Sequence, residues 1–304
     1  MNTFGRIFKI TIYGSSHGEE LGVVIDGCPV GIRLLEDDFI CDIERRKPQD
    51  YYNNTSRKEN DKILIRSGIY NGFTDGTPIL LSFKNENTIS KDYNFVEEGF
   101  FRPGTADFTA NRKYKGFNNP NGGGMFSGRM TLALVAAGVI AKKTISDIKI
   151  TSIVNSESEI LCTINNVPVG WGEPFFDSVE AVISHAIFSI PGAKGIEFGN
   201  IKSIASEYND TIIDAKGTTK TNNAGGINGG ISNGNDIYFT VKFRPPASIE
   251  IEQKTYNFKT QEIEKLTIKG RHDTCYINRT PVIVEAATAM VLADLFLLKK
   301  ENHL

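Results

Sequence analysis

The sequence predicts an α+β fold in one domain, and three observations carry that expectation. Residues 130–143 and 282–298 are apolar on every side and rich in Ala, as helices buried all round must be. Between and around them recur runs of β-branched and aromatic residues closed by Gly or Pro, which read as strands. No linker divides the 304 residues, so 1–304 is expected to fold as a single domain. The first apolar run is 14 residues long, too short to span a bilayer.

The elements follow in order. Residues 7–13 and 21–26 are β-rich strands, broken by a loop of Gly14, Ser15, Ser16, His17 and Gly18. His17, among small residues, is expected at the surface, where it is either an idle loop histidine or a group titrating near neutral pH. Residues 36–46 have helical spacing, with Phe39, Ile40 and Ile43 on one face. That helix ends in Arg45, Arg46, Lys47 and Pro48, and a polar stretch with Arg57 and Lys58 follows. Cations at a helix end can simply offset the dipole, or they can bind phosphate or carboxylate. Residues 62–66 and 78–84 read as strands, and 85–99 as an exposed loop. Gly122, Gly123 and Gly124 then precede Ser127, Gly128 and Arg129 at the mouth of the first apolar helix. Such a mouth is either a flexible lead-in or an anion site built from free backbone N–H groups.

Residues 147–165 read as strands with turns. Residues 177–189 form an amphipathic helix with Val179, Val182, Ile183, Ala186 and Ile187 inward and His185 packed or at the surface. Glycine turns at 189–195 and 223–234 flank a short strand at 196–199. Residues 236–244 are a strand stopped by Pro245 and Pro246. Gly270 and Arg271 precede the last apolar helix, repeating the Gly–Arg entry of the first. Residues 67–72 faintly echo 230–234, so two similar halves are expected.

Composition narrows the function. At 40% hydrophobic, 23% charged and a net charge of -2, nothing points to nucleic acid or a membrane surface. Residues 1–12 carry charge early and lack the apolar core of a secretory leader. Four scattered cysteines without a C-x-x-C pair argue against a zinc site or disulfide frame, and fit a reducing cytoplasm. No dinucleotide fingerprint or P-loop is present. What the loops do offer is His17, His272 and Asp273 with Arg46, Arg57, Arg129 and Arg271. Several cations, two histidines and a carboxylate suit a small substrate bearing phosphate and carboxylate groups.

The ordered blocks resemble those of the chorismate synthase family over nearly the whole chain. They include Ser16, His17 and Gly18; Arg45 to Pro48; Arg102, Pro103, Gly104, Ala106 and Asp107; Ser127, Gly128 and Arg129; and Gly270 to Asp273. The resemblance implies a β-α-β sandwich with helices held between antiparallel sheets, in a cytoplasmic homotetramer. It implies a lyase that converts 5-enolpyruvylshikimate 3-phosphate to chorismate by 1,4-elimination of phosphate. Reduced FMN is required without net redox change, and NADPH enters only as a reductant of that flavin. By resemblance His17 assists phosphate departure, and Ser16 and Ser127 place hydroxyls near flavin and substrate. Asp273 is linked through the flavin to removal of the C6 proton. Arg46, Arg57, Arg129 and Arg271 would bind the substrate's anions. The flavin would lie along Met125, Phe126, Ser127, Pro191, Gly192, Gly229, Arg244, Pro245, Pro246, Ala247, Ser248 and Arg271. No metal is implied.

The chain also departs from the family pattern. Thr105 stands where a second catalytic histidine is usual, and Thr cannot titrate near pH 7. Ser15 and Met130 replace carboxylates, Tyr52 a basic residue, and Pro246 a threonine. A stretch common in the family is missing between about 144 and 167. An alternative is therefore a paralogue that binds flavin or a phospholigand with weak or lost lyase activity.

Overall fold

The computed structural model describes residues 2–48, 59–88, 96, 98–268 and 275–301. Its architecture is two sheets with helices held between them, and the two halves of the chain build it in parallel ways. The first half runs β1 (Thr3–Phe4), β2 (Lys9–Gly14), β3 (Glu20–Asp26), α1 (Ile40–Arg46), β4 (Ile63–Ser67), β5 (Ile69–Tyr70), β6 (Phe73–Thr74), β7 (Ile79–Lys84), α2 (Asp107–Lys113) and α3 (Thr131–Thr144). The second runs β8 (Lys149–Ser156), β9 (Glu159–Asn165), α4 (Val179–Ile187), β10 (Ala193–Phe198), α5 (Ala205–Tyr208), β11 (Ile227–Asn228), β12 (Ile231–Ser232), β13 (Ile237–Phe243), β14 (Gln253–Asn257), β15 (Glu262–Leu266) and α6 (Pro281–Glu301).

One sheet is ordered β1-β2-β3-β7-β4 and the other β10-β13-β9-β8, and every pairing is antiparallel. Matching β2, β3, β4 and β7 with β8, β9, β10 and β13 makes the two orders the same. The correspondence extends to single atoms. Thr74 Oγ1 donates to Pro29 O at 2.6 Å and accepts from Ile32 N at 2.9 Å. Ser232 Oγ donates to Pro168 O at 2.6 Å and accepts from Trp171 N at 2.9 Å. Each hydroxyl closes a Pro-Val-Gly turn, at residues 29–31 and 168–170. The β5–β6 and β11–β12 hairpins turn through Asn71 and Gly72 (φ 49° and 80°) and through Gly229 and Gly230 (φ 61° and 85°). Two successive positive φ values are what a two-residue I′ hairpin needs, which explains Asn and Gly there. The sequence echo of 67–72 with 230–234 is out of register, since matching Thr74 with Ser232 sets Gly72 against Gly230.

Helix α3 is buried over Thr131–Ala141, as its uniformly apolar sequence requires. It lies on the first sheet, α6 lies on β8 and β9, and the two helices pack on each other. Lys142 and Lys143 close α3, and Lys299 and Lys300 sit in the last turn of α6, where cations offset the helix dipole. Helix α6 is long and apolar enough to cross a membrane, but 83% of its apolar window is buried inside the protein, so it is a core helix. One contiguous core joins both sheets and all four long or medium inner helices, from Phe8 through Val135 and Val284 to Leu297.

Three details differ from the sequence reading. Residues 36–39 form a 3₁₀ turn before α1, and the change of helical pitch moves Ile40 out to solvent (54% exposed) while Phe39 and Ile43 stay buried. Helix α2 and the β14–β15 hairpin lie in stretches with no clear apolar period. They meet through Phe101, Phe108 and Phe258, with ring centroids 5.1–5.7 Å apart, and Arg112 lies over the Phe108 ring at 5.3 Å. The chain passes from α3 to β8 through only four residues, 145–148, so the strands read in 147–165 begin almost directly after the helix.

Candidate active site

The loop end of α3 gathers the residues that the sequence singled out. The turn between β2 and β3 carries Ser16 and His17. Ser16 is 1% exposed, its N–H donates to Gly124 O at 3.2 Å, and its hydroxyl lies 3.2 Å from His17 Nδ1. The ring is therefore held through Nδ1, and Nε2 is the nitrogen that Ser16 does not engage. Gly122 has φ 61°, and a β-carbon there would fall 1.9 Å from His17 Nδ1. Only glycine lets the loop seat the imidazole so closely. Gly123 and Gly124 also have positive φ, at 76° and 53°, and a β-carbon on Gly124 would fall 2.5 Å from Asn119 O, so the turn needs glycine there as well.

That turn delivers the chain to Ser127, whose Oγ accepts from Arg129 N at 3.3 Å and caps the helix entry. Arg129 is 8% exposed and points back under the His17 loop. Its Nε donates to Asn85 Oδ1 at 2.6 Å and its Nη1 to Asp61 Oδ1 at 2.9 Å. Arg46 comes from the end of α1. It donates to Gly128 O at 3.1 Å and to Thr131 Oγ1 at 3.2 Å, and it lies 3.8 Å from Asp61. Two guanidiniums thus flank one buried carboxylate at the mouth of α3, and Glu59 lies 3.9 Å from Arg129. Such pairing offsets the cost of burying charge.

The sequence reading missed Arg279, in the turn before α6. Burial, with Arg46 beside it and Asp61 acting in opposition, pulls its guanidinium down to about 9. An arginine keeps its proton in a protein, so Arg279 adds a third cation to this cluster, beside Arg46. The signal in the sequence was a lone Arg inside the approach to an apolar helix. Asp61 and Asn85 were missed for a similar reason, since each looks like an ordinary loop residue. Arg57, Arg271, His272 and Asp273 lie outside the described residues.

The residues expected to hold a flavin fall in separate places. Arg244 N donates to Gly192 O at 2.9 Å, Tyr276 donates its hydroxyl to Arg244 O, and a β-carbon on Gly192 would meet Tyr276 Oη at 2.6 Å. Burial raises the Tyr276 hydroxyl above its usual value, which keeps it a donor. A β-carbon on Gly104 would lie 3.3 Å from Ala247, so the 244–248 loop reaches the turn that carries Thr105. Gly229 turns the β11–β12 hairpin, whose Gly230 docks on Ser178 at the start of α4. Next to Thr105, Ala106 and Asp107 help line a small, open cleft. Phe101, Phe126 and Pro120 give it apolar walls, and Gly123 forms part of the floor. Met125 packs against the main core instead, beside the cleft.

The cleft has a lining whose chemistry would meet the edge of a heteroaromatic group. Asn118 lines it, and its Oδ1 is buried without a hydrogen-bond partner, an acceptor suited to a ring N–H. Apolar walls with a few placed amides are the usual chemistry of a cofactor site. Thr105 does not present its hydroxyl to a ligand: it donates to Arg102 O at 3.0 Å and accepts from Asp107 N at 3.3 Å. Arg102 in turn clasps Asp107 through two 2.8 Å bonds.

Comparison with known proteins gives one consistent result. The family model for chorismate synthase matches residues 8–160 and 156–297. A chorismate synthase of Chitinophaga pinensis is 47% identical over 331 aligned residues, covering 100% of this chain and 98% of the relative. The chorismate synthase of Saccharomyces cerevisiae is 37% identical over 369, covering 99% and 97%. A crystal structure of a chorismate synthase superposes with a TM-score of 0.72 at 23% identity, over 97% of this chain and 93% of that one, which shows a shared fold.

Proposed function

The chain belongs to the chorismate synthase family, and on that premise we propose that the loop end of α3 performs its 1,4-elimination, releasing phosphate from 5-enolpyruvylshikimate 3-phosphate to give chorismate. The observation that carries the assignment is His17, fixed by Ser16 and seated on Gly122 beside the arginines at the mouth of α3. The paralogue reading based on Thr105 is not favoured, because full-length relatives at 47% and 37% identity are chorismate synthases.

The chain's own residues divide the work. His17 Nε2 hands a proton to the phosphate oxygen as the C–O bond breaks, while Ser16 keeps the ring oriented through Nδ1. Arg46, Arg129 and Arg279 offset the charge of the departing dianion, and Arg57 and Arg271 are assigned to the same anions. Ser127 places a hydroxyl beside substrate and cofactor. Reduced FMN, when bound, lends electron density to the substrate during cleavage. Phe126, Asn118, Gly192, Tyr276, Ala247 and Arg244 would hold it in the cleft and along the 244–248 loop. Asp273 is assigned to the proton lost from C6. The assembly is taken as a cytoplasmic homotetramer of single-domain chains.

The test is anaerobic. Purified protein, dithionite-reduced FMN and 5-enolpyruvylshikimate 3-phosphate should release chorismate and phosphate one for one, and His17→Ala should abolish both. Binding of FMN and substrate without either product would overturn the assignment.

A further inference from the structure

One side chain ties the His17 loop to Arg129. Asn85 follows directly on β7, and its N–H donates to Glu19 O at 3.0 Å. Its Nδ2 donates to Ser15 O at 2.9 Å and to Gly18 O at 2.8 Å, and its Oδ1 accepts from Arg129 Nε at 2.6 Å. Ser15 and Gly18 are the two ends of the turn that holds Ser16 and His17, and Gly18 N also closes on Ser15 O at 3.3 Å. A single planar amide therefore staples both ends of the histidine turn and seats the guanidinium at the entry of α3.

The chemistry of the position admits little else. Two carbonyl oxygens on one side demand two donors, and a guanidinium on the other demands an acceptor. Reversing the amide would set donor against donor at Arg129 and oxygen against both carbonyls, so the network fixes its orientation. A carboxylate would keep the acceptor for Arg129 but turn an oxygen on two carbonyls. Glutamine, one methylene longer, could not span the same three partners from the same backbone.

We propose that Asn85 is a positioning residue for the elimination: it holds His17 in register with Arg129, so that the proton donor and the anion holder meet one phosphate group. This rests on the reading of His17 as the proton donor. Misplacing a catalytic group by about 1 Å can cost on the order of 10²-fold in rate. Asn85→Asp preserves the contact to Arg129 and removes both donors to the turn. Its kcat should fall by roughly 10²-fold while KM for 5-enolpyruvylshikimate 3-phosphate stays within about twofold. A folded Asn85→Asp protein with kcat within about threefold of the parent, or with KM rising in step with the loss, would overturn the proposal.

A second readout needs no turnover. In protein labelled with ¹⁵N-histidine, with His17 assigned by comparison with His17→Gln, the parent should show one sharp set of His17 ring signals, as expected of a ring held in one orientation against Ser16. Asn85→Ser, which is uncharged and too short to reach both carbonyls, should shift and broaden them. An unchanged His17 spectrum in Asn85→Ser would sink the idea. If Asn85→Asp does not fold, Asn85→Ser replaces it in the kinetic test with the same criteria. A parent protein without lyase activity would defeat the functional assignment, and the spectrum would still decide the role of Asn85.

Discussion

Gly138 on α3 and Ala286 on α6 touch backbone to backbone at the crossing of the two central helices. A β-carbon built on Gly138 would lie 2.4 Å from Ala286 Cβ and 2.6 Å from its Cα. In isolation, Gly→Ala in a helix gains about 1 kcal/mol of propensity. Here the extra methyl must separate two helices in a core where both neighbours are 0% exposed or nearly so, and overpacking costs typically about 1–3 kcal/mol. Gly138→Ala should therefore lower the urea midpoint despite its better helix propensity, and Gly138→Val should lower it further. An Ala variant at or above the parent's midpoint would mean that the helices can part freely.

Thr105 is engaged with its own backbone, at Arg102 O and Asp107 N. Thr105→Val should lose about 1 kcal/mol with the two hydrogen bonds, read by thermal unfolding. Thr105→His restores a group that titrates near neutral pH beside the cleft and should raise turnover, at a similar cost in stability. Rates and a pH profile unchanged from the parent would show that position 105 does not limit the reaction.

The buried thiols set an alkaline limit. Burial pushes Cys28 up to about 11 and Cys162 up to about 12. Both are raised above the unfolded value of about 8.5, so the fold favours the protonated thiol. Their contribution to stability is whole below about pH 8.5 and fades as pH climbs through 11 and 12, because the unfolded chain releases those protons first. Urea midpoints measured from pH 8 to pH 11 should fall less steeply in Cys162→Ala than in the parent. At pH 8 a thiol reagent should modify exposed Cys41 well before Cys28 or Cys162, which mass spectrometry of the alkylated peptides would check.

Much of the fold was legible because its strongest signals are local. Residues 131–144 and 281–301 have no polar face to present, so they had to become core helices whatever surrounded them. Gly229–Gly230 fell in a stretch read as a glycine turn, where two positive φ values in succession exclude most side chains. His17 and the glycine run at 122–124 were also visible in the sequence, with the family blocks giving their likeness. Helix α2 was not visible, because seven residues are too few to display a period, and the β14–β15 strands alternate charges that leave both faces wet.

What the sequence determined by itself was the two core helices, most of the sheet strands, the family likeness and the histidine, because those rest on patterns along the chain. Tertiary structure alone decided the partners. Asp61 between Arg46 and Arg129, Asn85 across the ends of the His17 turn, and Arg279 beside Arg46 join residues tens to hundreds of positions apart. A buried charge or amide takes whichever partner the packed helices and sheets bring within about 3 Å, and that distance is written in no local pattern.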